Sequence, residues 1–181
     1  MSGMDISERN SLMERLGHTR DELLLSIRDV SEEQSRFKIS PDRWSIRDCV
    51  EHVVLAEQFM YLLITRDHTL SGPPGSLERE KAILGSRGGN RNRKLMAPES
   101  SWPTGRFDSL EDTVGAFVSA RGETIRYVSG CEDDLRARST IHPLLGAINC
   151  QECLALLIVH PLRHVEQIRE IKDSPHYPRR L

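Results

Sequence analysis

From Ser7 to Val30 the apolar residues stand at Leu12, Leu16, Leu23, Ile27 and Val30, with arginine, glutamate and aspartate between them. Spacings of three, four or seven put them on one stripe, so this stretch predicts an amphipathic helix. The segment Ser31 to Trp44 is polar and contains Pro41, which turns its predecessor away from helical backbone and suits a connection. A second helix begins after Ser45, because Asp48 three residues later completes a capping pattern. Its stripe reads Cys49, His52, Ala56, Phe59, Leu63, and its body runs to about Thr69. Between Leu70 and Ser109, glycines and prolines break any long period, which predicts a long loop with room for a short helix over Leu77 to Leu84. Leu110, Val114, Phe117, Ile125 and Val128 then define a third helix that ends near Gly130. The piece Cys131 to Ile148 reads as a connection, and Asn149 caps a fourth helix with the seam Cys153, Leu156, His160, His164, Gln167, Ile171. Pro175 and Pro178 forbid its continuation. Four such helices without an alternating strand pattern predict an all-α fold, an antiparallel four-helix bundle with the long loop between its second and third helices.

Length and charge narrow this further. The 181 residues suit one domain, 1–181, with a core over about 7–172, the loop over about 70–109 and a short tail at 173–181. A chain of this size can bury an adequate core unaided, so its four cysteines need not be disulfides. Twenty-five Lys and Arg against 27 Asp and Glu leave a net charge of -2, which argues against nucleic-acid and membrane partners. The run Arg87, Arg91, Arg93, Lys94 reads as a solvated loop rather than an anion grip. Met1 to Asn10 is polar and lacks a signal-peptide core, so the expectation is a cytoplasmic, reducing setting.

The histidines carry the chemistry. His52 sits inside an apolar stripe, and His160 and His164, four apart on the fourth helix, share a face one turn from each other. A buried imidazole without a partner costs about 1–3 kcal/mol, so three on the bundle's inner seams require hydrogen bonds, waters or a shared cation. A divalent metal satisfies all three at once and leaves open coordination positions. The alternative is three unrelated core histidines, each bonded to a carbonyl or water. Pro161 stands where a zincin carries its glutamate, and no Glu-x-x-His lies on these seams, so a peptidase and a carboxylate-rich di-iron centre are both disfavoured. An imidazole-rich site suits zinc, nickel or iron, and such a cation can activate a water or hold a thiolate. Pro161 also removes the N–H that would reach the Leu157 carbonyl, which predicts a kink or bulge there. Cys49, one turn before His52, reads as apolar filler or as a further ligand; Cys150 and Cys153 read as packing. Gln167 is placed to bond a ligand or to face solvent, and His18, His68 and His176 sit in polar surroundings.

Three motifs resemble the DinB/YfiT-like family of metal-dependent enzymes. Trp44 to Val53, WSIRDCVEHV, resembles its WSIRE-x-x-x-H entry to the second helix. His142-Pro143-Leu144-Leu145-Gly146 resembles its HP-x-x-G stretch, and His160-x-x-x-His164 with Gln167-Ile168 resembles its H-x-x-x-H-x-x-Q-I ending. The resemblance spans about residues 10–172 and implies a four-helix bundle in which His52, His160 and His164 hold a divalent metal. It further implies an enzyme on a small-molecule substrate, either a transferase using a low-molecular-weight thiol such as bacillithiol or a hydrolase, and it suggests a homodimer. Pro161 departs from the residue usual between the two ligands. A reading from another class is a non-catalytic helical module that binds a ligand or partner, with a structural metal or none.

Overall fold

The computed structural model describes residues 4–66, 76–86 and 98–179. Four long helices form: α1 (Ile6–Ile27), α3 (Ile46–Thr65), α5 (Leu110–Gly130) and α6 (Cys150–Lys172), with two short ones, α2 (Glu32–Arg36) and α4 (Leu77–Gly85). The predicted bundle is therefore what the chain builds. α1 and α3 each pack on both α5 and α6.

The core shows how the helices run. At one end Leu23 and Ile27 of α1 meet Ile46 and Val50 of α3, Leu110 of α5, and Ile168 and Ile171 of α6. At the other, Leu12 and Leu16 meet Met60 and Ile64, Val128, and Cys153 and Leu154. Thus α1 and α6 point one way and α3 and α5 the other, which makes α1·α5 and α3·α6 the antiparallel contacts. Such wiring needs a link that runs the length of the bundle between α3 and α5, from the Ile64 end to the Leu110 end, whereas α1 ends and α3 begins at the same end.

Capping explains the helix starts. Ser45 accepts from the Asp48 N–H while the Asp48 carboxylate accepts from the Ser45 N–H, and Asn149 with Glu152 repeats the arrangement on α6. The same device, Ser31 with Gln34, starts α2 inside the segment expected to be only a connection. That helix is too short to display a period, so its cap was the only sign of it. α3 closes at Thr65, short of the predicted Thr69, a position outside the described residues. The connection before α6 contains a hairpin, β1 (Ser139–His142) paired antiparallel with β2 (Gly146–Asn149), in register from Ser139 opposite Asn149 to His142 opposite Gly146. Its strands are too short to alternate legibly.

A buried brace ties the four long helices together. The Arg121 guanidinium donates to both carboxylate oxygens of Glu57 at 2.9 and 2.7 Å, to the Leu16 carbonyl and Thr19 hydroxyl at 3.1 Å each, and to the Leu157 carbonyl at 2.9 Å. Thr124 donates its hydroxyl to Glu57 at 2.7 Å. Leu157 is the carbonyl that Pro161 leaves without its helical donor. Of the kink or bulge expected at Pro161 the bulge is absent, since α6 runs on as α-helix through it, and a side chain from α5 fills the vacated bond.

Among the described residues no helix is long and apolar enough to cross a membrane. The cysteines are all free and buried; burial pushes the Cys150 thiol up to about 11 and the Cys153 thiol up to about 12, as packing residues rather than reactive ones.

Candidate metal centre

The capping box sets the start of α3 and so places His52 on its second turn, facing α6. His160 and His164 face back across the α3·α6 contact, half-buried and buried respectively. The three imidazoles meet. His160 Nε2 lies 3.2 Å from His52 Nε2 and 3.1 Å from His164 Nε2, and one nitrogen from each ring falls within a 4.8 Å cluster. Among the described residues this is the only such grouping of possible ligands, and Cys49 is not part of it. Cys49 is fully buried in apolar core beside Ile46 and Val50.

Hydrogen bonding at the far nitrogens decides what the near ones offer. His52 Nδ1 lies 2.7 Å from the Ser101 carbonyl, which can only accept, so this nitrogen carries the proton and Nε2 presents a lone pair. His164 Nδ1 lies 3.2 Å from Gln167 Oε1, which by the same logic leaves its Nε2 bare. Two lone pairs thus converge on the third ring, where at most one proton is available to them. A cation resolves the conflict. Tetrahedral zinc, with arms of about 2.0–2.1 Å to nitrogen, spaces its ligands about 3.3 Å apart, close to the two separations from His160. The donor set fits a divalent ion, with both outer nitrogens already oriented by hydrogen-bond partners.

The field agrees. Burial holds His52 below the usual histidine value, and burial, together with neighbouring His52, Arg121 and Arg163, holds His160 well below it. Burial and the charges of His160, His52 and Arg163 do the same to His164. All three rings are neutral ligands near pH 7. Unfolding returns them to about 6.5, so below that pH the unfolded chain takes up protons that the folded one refuses, and stability falls as pH falls. The metal-free protein should therefore be fully stable above about pH 6.5 and lose at most about 1.4 kcal/mol per pH unit for each ring below it. Urea midpoints measured from pH 8 to 5 check this, and a flat profile would contradict it.

Trp44 walls the centre, its indole 4.8 Å from the His52 ring and stacked at 6.2 Å on that of His164. A short 3-10 turn, Glu99–Ser101, supplies the carbonyl on His52, and the chain just beyond it is held by Glu51, whose carboxylate accepts the N–H groups of Thr104, Gly105 and Arg106. Neither Ser101 nor Glu51 was legible in sequence. A backbone carbonyl has no residue signature, and the only hint for Glu51 was a charged residue inside an otherwise buried stretch of helix. Gln167 does bond a site histidine, as one of its two readings held. His142 stands on β1 outside the three-ring cluster, near enough for its charge to act on His160, with its Nδ1 accepting the Leu144 N–H at 3.2 Å. His18 and His176 are exposed; His68, Arg87, Arg91, Arg93 and Lys94 lie outside the described residues.

A four-helix bundle with three imidazoles at its α3·α6 contact defines the class: the chain belongs to the DinB superfamily, which it matches over residues 15–168. Among particular proteins, it is 20% identical over 148 residues to the uncharacterized protein YuaE of Bacillus subtilis (strain 168), spanning 82% of this chain and 89% of that one. It also shares its fold with YfiT from Bacillus subtilis, described as a probable metal-dependent hydrolase with an unusual four-helix bundle topology. That match has a TM-score of 0.60 at 15% identity and covers 95% of this chain and 90% of the other.

Proposed function

We propose that the protein is a metal-dependent enzyme acting on a small molecule, with His52, His160 and His164 as the protein ligands of one divalent ion. The observation that carries this is the pair of lone pairs, on His52 and His164, aimed at His160 with their outer nitrogens already committed to Ser101 and Gln167. A bound divalent ion supplies Lewis acidity toward a coordinated water or thiol. The chain's own residues do the rest. His52 and His164 are held in one tautomer by their partners, and Trp44 packs against the rings of both. Three protein ligands support a catalytic centre over a closed structural one, which would have four.

Two reactions suit such a centre, hydrolysis by water and transfer of a low-molecular-weight thiol to an electrophile. The description of YfiT supports the first, and the resemblance of the sequence motifs is compatible with either. Elemental analysis of protein prepared without a histidine tag or nickel resin is expected to find about one zinc, nickel or iron per chain. That protein should then be assayed with activated esters and with small thiols plus an electrophile, against His52→Ala. Metal-free protein, or turnover unchanged in the variant, would overturn the proposal.

A further inference from the structure

We infer that Glu51 is a positioning residue for the site, holding the segment from Ser101 to Arg106 so that its carbonyl fixes the tautomer of His52. Glu51 is 1% exposed, on α3 immediately before His52, and among the described residues its carboxylate forms no salt bridge. Instead Oε1 accepts from the N–H of Thr104 at 2.9 Å and of Arg106 at 3.2 Å, and Oε2 accepts from that of Gly105 at 3.1 Å. Three consecutive N–H groups curl around one carboxylate because Gly105 adopts φ +74°, a conformation costly for residues with a side chain. A buried carboxylate with three such donors is a strong, directional anchor.

The consequence runs through chain connectivity. Ser101 sits three residues before this nest and presents its carbonyl 2.7 Å from His52 Nδ1. Adjacent side chains on α3 therefore grip one strap at two points, Glu51 at its far end and His52 at its near end. Among the described residues the hydrogen bonds that tie 101–106 to α3 are those to Glu51 and His52, so loosening the nest lets the carbonyl drift and lets His52 carry its proton on either nitrogen. A proton on Nε2 would remove the lone pair on which the centre depends.

This inference rests on the metal reading above, and its test separates the two. In untagged protein, zinc affinity is measured by competition with a chromophoric chelator for the wild type, Glu51→Gln, Gly105→Val and Ile64→Ala. The amide of Glu51→Gln turns an N–H toward the nest's own donors, and Gly105→Val strains the nest without touching α3. Ile64→Ala, 12 residues along α3 at the opposite end of the core, is the control for general destabilisation. Expected is a loss of about 10–100-fold in zinc affinity for the first two variants, the range seen when a ligand's orienting partner is removed, and a change under about twofold for the control. In metal-free protein, imidazole 15N spectra should show His52 as the Nδ1–H tautomer in the wild type and control and as a mixture in both nest variants, with faster exchange of the 104–106 amides. If the wild type binds no zinc, the metal reading falls while the tautomer and exchange data still decide the role of Glu51. Both nest variants retaining the single His52 tautomer and slow amides would overturn the inference.

Discussion

Arg121→Met is expected to lower the unfolding free energy by about 3–5 kcal/mol, the loss typical when one partner of a buried ion pair is removed. Arg121 is wholly buried and Glu57 nearly so, so the variant strands a carboxylate in the core and leaves the Leu16 and Leu157 carbonyls without their guanidinium donor. Replacing both charges, Arg121→Met with Glu57→Leu, should recover much of the loss, because the uncompensated charge is gone and only the Leu157 carbonyl remains orphaned, at about 1–3 kcal/mol, while Leu16 keeps its helical donor and the Thr19 hydroxyl. Pro161→Ala offers a sharper check, since it gives Leu157 back its helical donor. It should stabilise the Arg121→Met protein by about 1–3 kcal/mol more than it stabilises the wild type. Urea unfolding of the four proteins in this cycle measures that coupling. Equal effects of Pro161→Ala in both backgrounds would show that Arg121 is not the substitute donor.

His164→Ala is the second large effect, this time on the centre. The change leaves only His52 and His160 to bind, with Nε2 atoms 3.2 Å apart. Zinc affinity is expected to fall by more than the roughly 100-fold that marks the upper range for losing an orienting partner. The metal-free variant should stay folded, because the brace around Arg121 and both core clusters remain in place. Chelator competition together with circular dichroism distinguishes the outcomes. A folded variant that binds one zinc with wild-type affinity would remove His164 from the ligand set.

The three histidines could be found in the sequence because helical periodicity is a local property. The four-residue spacing from His160 to His164 places two rings on one face whatever the helix packs against. The stripe around His52 likewise announced an imidazole on an inner face. Helix starts were legible for the same reason, Ser45 with Asp48 and Asn149 as caps being bonds between near neighbours. Arg121 was half-legible: it falls four residues after Phe117 and four before Ile125, a charged residue in the third helix's apolar stripe. Nothing local said that its partners would be Glu57 and the carbonyl opposite Pro161. Of the kink or bulge expected at Pro161 the bulge did not form, and the carbonyl the proline vacates, that of Leu157, found its donor 36 positions away.

By itself the amino-acid sequence determined the four long helices, most of their caps, their apolar seams and the three rings aimed inward, all consequences of interactions within a few residues. Only the tertiary structure decided that α1 runs with α6 and α3 with α5, that a carbonyl 49 residues away orients His52, and that Arg121 completes α6. Those facts depend on which helices become neighbours, and backbone donors and acceptors, identical at nearly every residue, reveal their partners only once the chain is packed.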